Sequence, residues 1–370
     1  MLFQVILLEK RLTQVFIMTR HGIRTPVKAY KNDDIPWNCS KNHLYNFQYQ
    51  KNLLNTKDLK LNFDLKNHHK GNCFKCQLTD DGYDQHANLS NIWQAIYPEL
   101  YQAADLRSTV VPRVQLSLVG QLTQRSSGSQ LNKSINLVHV ATKYMDSGVV
   151  SDNCSWNSQY MQNTRKLLNT NAIKAQSTDD LKKMQSKAGF GATWNFLGDY
   201  FKAKRASHLF IPHFTDFEIS NSINNMDAHW RHEYVTPHSQ HVNYLKLSIG
   251  SLMKDIIRYQ MIQRSVIVSG HDSGLAPLIA VLVNNDEWSG GQPEFASFIA
   301  IELYFENGVE TVKIRLRNSG VGTGEYVKQS ACGQLECGIS AFQEYILGFE
   351  VSIEERTRMC KEKFQEEQYE

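Results

Sequence analysis

The chain has 370 residues, of which 41% are hydrophobic and 21% are charged, and its formal net charge is +3. This length and composition are ordinary for a soluble enzyme and allow a large buried core. Such a small positive charge argues against nucleic acid or an anionic membrane as a partner, and no run of eighteen apolar residues is present to span a membrane.

The first predicted elements are a strand, a long connection and a helix. Residues 12–18 are apolar and β-branched, which is typical of a buried strand. Residues 28–75 are polar and predict a surface connection that lines the mouth of a site. Thr79 is a good N-cap for a helix that runs to about residue 96, and residues 135–141 again have a strand pattern.

The middle of the chain interrupts this alternation. Residues 150–235 are rich in Lys, Asn, Gln and Ser, with helical stretches, and predict an insertion that folds over the strand ends. An amphipathic helix then leads into the apolar run 265–269, which suits a parallel central strand. The last two strands, about 297–305 and 311–317, are joined at Glu306-Asn307-Gly308, a hairpin signal.

The most specific motif is Arg20-His21-Gly22-Ile23-Arg24-Thr25-Pro26, directly after the first predicted strand. Residues at the carboxyl ends of strands form the ligand site in open α/β sheets. Two guanidiniums beside an imidazole suggest an anion held against a nucleophile, because the planar fork of arginine suits phosphate oxygens. The spacing Arg-His-Gly-x-Arg-x-Pro resembles the signature of the histidine acid phosphatases.

Two further segments carry the same resemblance. His271-Asp272 ends the 265–269 strand and resembles the family's His-Asp motif, although Ser273-Gly274 replaces the more usual Thr-Thr or Thr-Asn and puts substrate choice in doubt. Asp105-Leu106-Arg107-Ser108-Thr109 resembles the family's central Arg-Ser-Thr segment. On that match we select Arg107, rather than the nearby Arg113, as the third phosphate-binding arginine.

The resemblance implies a phosphohistidine mechanism that uses no metal and no cofactor. His21 would attack phosphorus, and the surrounding arginines would keep its ring neutral at acid pH. Asp272 would protonate the leaving oxygen and then activate water. The phosphate oxygens would be bound by Arg20, Arg24, Arg107 and His271.

A histidine cluster offers a competing site. His229, His232, His238 and His241 form two His-x-x-His pairs around Glu233, and such clusters can bind zinc. The implied family uses no metal, so we predict that these histidines hold none.

The cysteines and glycosylation sequons favour an oxidising compartment. The resemblance implies the disulfides Cys332–Cys337 and Cys154–Cys360. Two of the three remaining cysteines, Cys39, Cys73 and Cys76, are also expected to pair, but the sequence does not show which two. Residues 1–8 are apolar but too few for a signal peptide, so either a leader has been trimmed or the gene prediction starts late. The Asn-x-Ser sequons are Asn38, Asn88, Asn132 and Asn153.

The resemblance covers about residues 12–346 and implies an α/β fold with a mainly parallel central sheet, helices on both faces and an inserted helical cap. We expect a core of 12–149 and 236–350, a cap of 150–235, and a tail of 351–370 packed on the core. The implied function is hydrolysis of small phosphate monoesters at acid pH by a soluble secreted or lysosomal protein.

Two alternatives stay within the resemblance, a phytase and a lysophosphatidic acid phosphatase. A third, from a different class, is a catalytically inactive secreted binding protein. A homodimer is left open, and the natural substrate is not predicted.

Overall fold

The computed structural model describes residues 10–30, 33–42, 69–109, 111–122, 138–140, 154–171, 174–189, 191–236, 240–318 and 322–362. The strands are β1 (Arg11–Arg20), β2 (Asp105–Ser108), β3 (Val138–Val140), β4 (Val266–Gly270), β5 (Phe298–Glu306), β6 (Val309–Arg317), β7 (Glu325–Val327) and β8 (Glu336–Gly338). The helices are α1 (Asp80–Ile96), α2 (Pro98–Ala103), α3 (Pro112–Gln121), α4 (Ser155–Asn171), α5 (Lys174–Ala188), α6 (Trp194–Ala206), α7 (Asp216–Tyr234), α8 (His241–Met261), α9 (Asp272–Leu282), α10 (Ile339–Leu347) and α11 (Ile353–Lys361). A short 3-10 helix covers Ser40–Asn42.

The described strands form one mixed sheet in the order β3-β2-β4-β1-β5-β6-β7, with β8 also paired to β6. The strands from β3 to β1 are parallel, as predicted for the centre of the fold. From β1 onward the neighbours are antiparallel, so the sheet is less purely parallel than the sequence suggested. The β5–β6 hairpin turns at Asn307 and Gly308, whose φ angles of 52° and 84° are those that a tight hairpin requires.

The middle of β1 (residues 15–18) and the start of β4 (residues 266–268) are apolar at consecutive positions because helices cover both faces of the sheet. Along β1, Val15 and Ile17 pack into a cluster with residues of α1, α2 and α3. Phe16 and Met18 point the other way, into a cluster with residues of α8, α9 and α10. Burial on both faces removes the polar half of the usual strand alternation.

The register of the sheet gathers three strand ends at one edge. Arg20 is aligned with Gly270, and Ser108 with Ser269, so the chain leaves β1, β4 and β2 at the same level. The residues that directly follow these strands are His21, His271 and Thr109.

The helices between 155 and 234 lie within the predicted insertion. Helices α5, α6 and α7 share an apolar cluster of their own, which Tyr30 joins from the loop after β1. Helix α4 instead packs Trp156 and Tyr160 into the cluster on the α8 face of the sheet. The boundaries of core, cap and tail given above stay a prediction.

The structure contains the disulfides Cys39–Cys73, Cys154–Cys360 and Cys332–Cys337, and Cys76 is a free thiol. These include both pairs that the resemblance implied and settle the pairing that the sequence left open. The sequon residues Asn38 and Asn88 are exposed, whereas Asn132 and Asn153 lie outside the described residues. No helix within the described ranges is long and apolar enough to cross a membrane.

Candidate active site

His21 lies just beyond β1 and is only 1% exposed. Its Nδ1 is 2.9 Å from the carbonyl oxygen of Gly22. A carbonyl oxygen can only accept, so Nδ1 carries the proton and a neutral ring has its lone pair on Nε2. Burial, followed by the charges of Arg113, Arg20 and Arg24, holds the pKa of His21 well below its usual value. The ring is therefore neutral and presents a nucleophilic nitrogen.

A close backbone crossing fixes the loop that carries His21. A Cβ on Gly22 would lie 2.2 Å from the carbonyl oxygen of Gly82, and a Cβ on Gly82 would lie 2.1 Å from that of Ile23. Thr79, the N-cap of α1, accepts a hydrogen bond from the Gly82 N–H and donates one to the Ile23 carbonyl. Only glycine at both positions lets the first turn of α1 approach the loop after β1 this closely.

Arg20 connects the end of β1 to the carboxylate of Asp272. It is fully buried, and its Nη2 lies 2.9 Å from Asp272 Oδ2. Its Nη1 donates to the carbonyl of Pro293, and the guanidinium lies 4.1 Å from the centre of the Phe295 ring. These contacts fix the guanidinium beside the strand ends.

Arg24 is held by Asp199, a residue of helix α6. Two hydrogen bonds, 2.7 and 3.1 Å long, join the guanidinium fork to the two carboxylate oxygens. Burial alone would lower the pKa of Arg24, but Asp199 outweighs it and raises that pKa above its usual value. The Nε of Arg24 is buried and has no hydrogen-bond partner among the described residues.

His271 and Arg113 form another wall of the site. Nη2 of Arg113 lies 3.3 Å from Nδ1 of His271, and the hydroxyl of Thr109 lies 3.1 Å from Nε2. A guanidinium only donates, so Nδ1 is the acceptor and the ring proton is on Nε2. Burial, with Arg113 next in importance, lowers the pKa of His271 to about 3. The imidazoles of His21 and His271 are 5.7 Å apart, centre to centre.

Asp272 begins α9 and faces the same cluster of cations. Its Oδ1 accepts the N–H of Ser273 at 2.9 Å, and its Oδ2 accepts Nε2 of Gln292 at 2.8 Å. Burial would raise the pKa of Asp272, but Arg20 and then Arg24 outweigh burial and lower it. The carboxylate is thus ionised while no anion is bound beside it.

The guanidiniums of Arg20, Arg24 and Arg113 therefore surround the neutral ring of His21, whose Nε2 has no proton. The carboxylate of Asp272 lies 2.9 Å from the Arg20 guanidinium. The Nε of Arg113, like that of Arg24, is buried without a hydrogen-bond partner in the described part of the chain. Such an arrangement can bind a tetrahedral anion and stabilise charge on its oxygens.

Residues 11–317 match the family described as histidine phosphatase superfamily (branch 2). The chain belongs to this superfamily. Its members include acid phosphatases and phytases, which hydrolyse phosphomonoesters.

Several known proteins resemble this chain at low sequence identity. Counting factor 60 of Dictyostelium discoideum is 22% identical over 366 residues, which cover 90% of this chain and 85% of that protein. The phytase from Citrobacter braakii is 13% identical, with a TM-score of 0.61 and coverage of 95% of this chain and 99% of the phytase. The Bifidobacterium longum multiple inositol polyphosphate phosphatase in complex with inositol hexasulfate is 10% identical, with a TM-score of 0.55 and coverage of 90% and 91%. At these identities the two structures establish the fold alone.

Within this superfamily fold, Arg107 lies away from the cluster, and the sequence-based choice between the two arginines needs correction. Arg107 is aligned with Val268, which faces the α8 side of the sheet, and its Nη1 lies 2.8 Å from Oδ2 of Asp255 on α8. Arg113 instead follows Pro112 in the first turn of α3 and reaches His271. A strand residue points at a sheet face, whereas the first turn of the next helix lies at the carboxyl edge. Position relative to the strand end is the sequence signal that would have placed Arg113, rather than Arg107, beside His271.

The histidines around Glu233 do not form a metal cluster where the chain is described. Nε2 of His241 lies 2.9 Å from the Tyr234 carbonyl, and Glu233 accepts a hydrogen bond from Tyr244. His238 lies outside the described residues. Within those residues, no three His, Cys, Asp or Glu side chains are grouped to hold a metal ion.

Two residues at the site have no counterpart in the sequence-based set. Asp199 comes from helix α6, and Gln292 comes from the loop before β5. Neither belongs to a recognisable motif, because each meets the site only through tertiary packing.

Proposed function

We propose that this chain is an acid phosphatase that hydrolyses phosphate monoesters through a covalent phosphohistidine. The observation that carries the proposal is the Nδ1 contact of His21 with the Gly22 carbonyl, which leaves Nε2 bare in a neutral ring. Arg20, Arg24 and Arg113 bind the phosphoryl oxygens, with Arg113 in the place first given to Arg107. His271 lies beside Arg113, and its Nε2–H, which faces the Thr109 hydroxyl, is the atom proposed to reach the same group.

In the first step, Nε2 of His21 attacks phosphorus in line with the leaving oxygen. The N–P bond forms as the P–O bond breaks, and the alcohol oxygen takes the proton of Asp272. The guanidiniums stabilise the charge on the other phosphoryl oxygens, as a metal ion does in other phosphatases.

In the second step, water attacks the phosphohistidine and gives its proton to the Asp272 carboxylate. The N–P bond breaks, inorganic phosphate forms, and the His21 ring returns to its neutral state. Asp272 thus acts as acid and then as base within one cycle.

The proposed acid preference follows from the charges around Asp272. In the free protein, Arg20 and Arg24 keep the pKa of this carboxyl low. A bound phosphate neutralises these guanidiniums and adds negative charge, so Asp272 takes up a proton more readily in the complex. His21, whose pKa is held well below its usual value, stays neutral as the pH falls.

Inositol polyphosphates are a second candidate class of substrate. A Hafnia alvei phytase that shares this fold, with a TM-score of 0.60, was solved with myo-inositol hexakis sulphate. In this chain Lys28 is exposed, and its Nζ lies 4.6 Å from the centre of the Phe196 ring on helix α6. Its neighbour Val27 donates its N–H to Asp199, the partner of Arg24. One such lysine is modest support, so simple monoesters remain the primary proposal. Nothing specific supports a lysophosphatidic acid phosphatase.

A catalytically inactive binding protein is the alternative from another class. It predicts loss of part of the catalytic set, yet His21, Arg24, His271 and Asp272 are all present. The three disulfides support the further proposal of a secretory location, secreted or lysosomal.

The test is a rapid-quench assay with p-nitrophenyl phosphate, β-glycerophosphate and phytate between pH 4 and 7, with and without a chelator. We expect a phosphoenzyme that is stable in base and labile in acid, formed equally well with chelator and absent in His21→Ala. A protein that hydrolyses none of these esters would support the binding role. Loss of activity in chelator, restored by zinc, would contradict the proposed mechanism.

A further inference from the structure

The two oxygens of the Asp272 carboxylate have unequal surroundings. Oδ2 accepts Nε2 of Gln292 at 2.8 Å and lies 2.9 Å from Nη2 of Arg20, whereas Oδ1 has the N–H of Ser273 at 2.9 Å. Each oxygen thus accepts one hydrogen bond, but only Oδ2 also has a guanidinium nitrogen beside it, at ion-pair distance without hydrogen-bond geometry. A proton on Oδ2 would face that positive charge, whereas Oδ1 keeps a lone-pair site that can carry one.

Gln292 is itself held by an ion pair of the cap. Its N–H donates to Oδ1 of Asp227 at 3.0 Å, and its carbonyl accepts Nζ of Lys202 at 3.3 Å. Lys202 and Asp227 are 3.0 Å apart, and the Lys202 side chain is only 6% exposed. The main chain of Gln292 is therefore fixed on both sides by helices α6 and α7.

The loop also packs directly against α7. A Cβ on Gly290 would lie 2.9 Å from Cα of Arg231, and Gly290 has a φ of 84° that favours glycine. Little space is left for Gln292 to move away from Asp272 while the cap stays in place.

On the basis of the phosphatase function above, we propose that Gln292 is a positioning residue that blocks Oδ2 of Asp272, so that Oδ1 carries the proton to the leaving oxygen. The cap ion pair of Lys202 and Asp227 keeps Gln292 in this position. The acid function of Asp272 thereby depends on a residue of the loop before β5 and on two residues of the cap.

The amide of Gln292 should influence the pH at which Asp272 loses its proton. Gln292 stabilises the ionised form of Asp272, so removing its amide should make the carboxyl hold its proton to higher pH. The other charged or titratable groups that face Asp272 are unchanged by such a substitution: Arg20, Arg24, Arg113, His271 and Tyr234.

The experiment measures phosphoenzyme formation in single turnovers across pH for Gln292→Leu and Gln292→Glu. With β-glycerophosphate, the alkaline limb of the pH–rate profile of Gln292→Leu should move up by about one pH unit. A shift of that size corresponds to the loss of about one hydrogen bond to a charged group. Gln292→Glu should move it further, because two carboxyl groups then share a proton. With p-nitrophenyl phosphate, whose leaving group needs little protonation, the limb should move much less.

Gln14→Leu is the matched control. Gln14 is 4% exposed, compared with 6% for Gln292, and its amide donates to the carbonyls of Tyr259 and Arg264, outside the active-site cluster. This variant should lose stability without moving either pH limb.

Unshifted limbs in both Gln292 variants, or the same shift in Gln14→Leu, would overturn the proposal. If Gln292→Leu does not fold, Gln292→Glu decides alone, because it keeps the size and shape of the side chain. Absence of a phosphoenzyme in the wild-type protein would instead be a failure of the proposed function, which this design separates from failure of the positioning role.

Discussion

Arg24 and Asp199 are 175 positions apart in the sequence and form a two-pronged ion pair, with hydrogen bonds of 2.7 and 3.1 Å. Arg24 belongs to the loop after β1, and Asp199 to helix α6. The same carboxylate accepts the N–H of Val27 at 3.3 Å. Through this pair, helix α6 sets the orientation of one of the arginines that we propose to bind phosphate.

We expect Asp199→Ala to be strongly destabilising. It leaves the buried guanidinium of Arg24 without its counter-charge, which typically costs about 3–5 kcal/mol of unfolding free energy. Urea unfolding measures this loss, and a raised KM for p-nitrophenyl phosphate should accompany it. The control is Asp255→Ala, which breaks the more exposed pair with Arg107 and should cost about 1 kcal/mol or less. Similar losses in the two variants would mean that Asp199 has no special role.

The choice between Arg113 and Arg107 is directly testable. Arg113→Ala should lower kcat/KM by about a hundred- to a thousandfold, as expected when one donor to transition-state charge is lost. Arg107→Ala should retain nearly the wild-type value, because its partner Asp255 lies on α8. Loss of activity in Arg107→Ala with a mild effect in Arg113→Ala would restore the original assignment.

Arg113→Ala should also change the acid limb of the pH profile. After burial, Arg113 is the largest cause of the lowered pKa of His21. Without that charge the pKa of His21 rises, so the nucleophile is protonated, and activity is lost, at a higher pH than in the wild type. The acid limb of single-turnover phosphorylation should therefore move upward.

The role of Asp272 depends on the leaving group. An alkoxide needs a proton and a nitrophenolate leaves almost unaided, so Asp272→Ala should slow phosphoenzyme formation by about a hundred- to ten-thousandfold on β-glycerophosphate and far less on p-nitrophenyl phosphate. Single-turnover kinetics are required, because slow dephosphorylation would otherwise hide the difference. His21→Ala should abolish turnover of both esters. Equal losses in Asp272→Ala on the two substrates would exclude Asp272 as the acid.

His86 provides a pH-dependence that is separate from catalysis. It is fully buried, it accepts a hydrogen bond from Gln121 on Nδ1, and burial followed by Arg317 lowers its pKa to about 3. In the unfolded chain the pKa of His86 is about 6.5, so below that pH the unfolded chain binds a proton at this ring and the folded chain does not. This ring therefore reduces stability as the pH falls from about 6.5 toward 3, by about 1.4 kcal/mol per pH unit.

Between pH 6 and pH 4, His86→Asn should reduce the slope of unfolding free energy against pH by about 1.4 kcal/mol per pH unit, even if stability is lower throughout. His208→Asn, a change at an exposed histidine, should leave the slope as it is. An unchanged slope in His86→Asn would show that this ring is not kept neutral in the folded protein.

The two C-terminal disulfides should differ in their contribution to stability. Cys154–Cys360 closes a separation of 206 residues, and Cys332–Cys337 closes one of 5. In the loop-entropy account, replacing the first pair with serines should cost roughly 5 kcal/mol and replacing the second roughly 2 kcal/mol. Urea unfolding of the two double variants measures the difference, and the reverse order would contradict an entropic origin.

The sequence alone was sufficient for the parts of this protein that are local in the chain. Arg20, His21 and Arg24 lie within five residues at the end of β1, and the apolar strands before His21 and His271 predict that both histidines lie at one sheet edge. The hairpin at Asn307-Gly308 and the capping of α1 by Thr79 also depend only on neighbouring residues. Backbone geometry over a few residues is enough to determine each of these features.

Only the tertiary structure decided which distant residues complete the site. The register of β2 and the start of α3 turn Arg107 toward Asp255 and bring Arg113 to His271. Packing of helix α6 brings Asp199 to Arg24, and the loop before β5 brings Gln292 to Asp272. These contacts follow from how whole helices, strands and loops pack. They join residues from 20 to 175 positions apart and leave no local pattern that a single sequence can reveal.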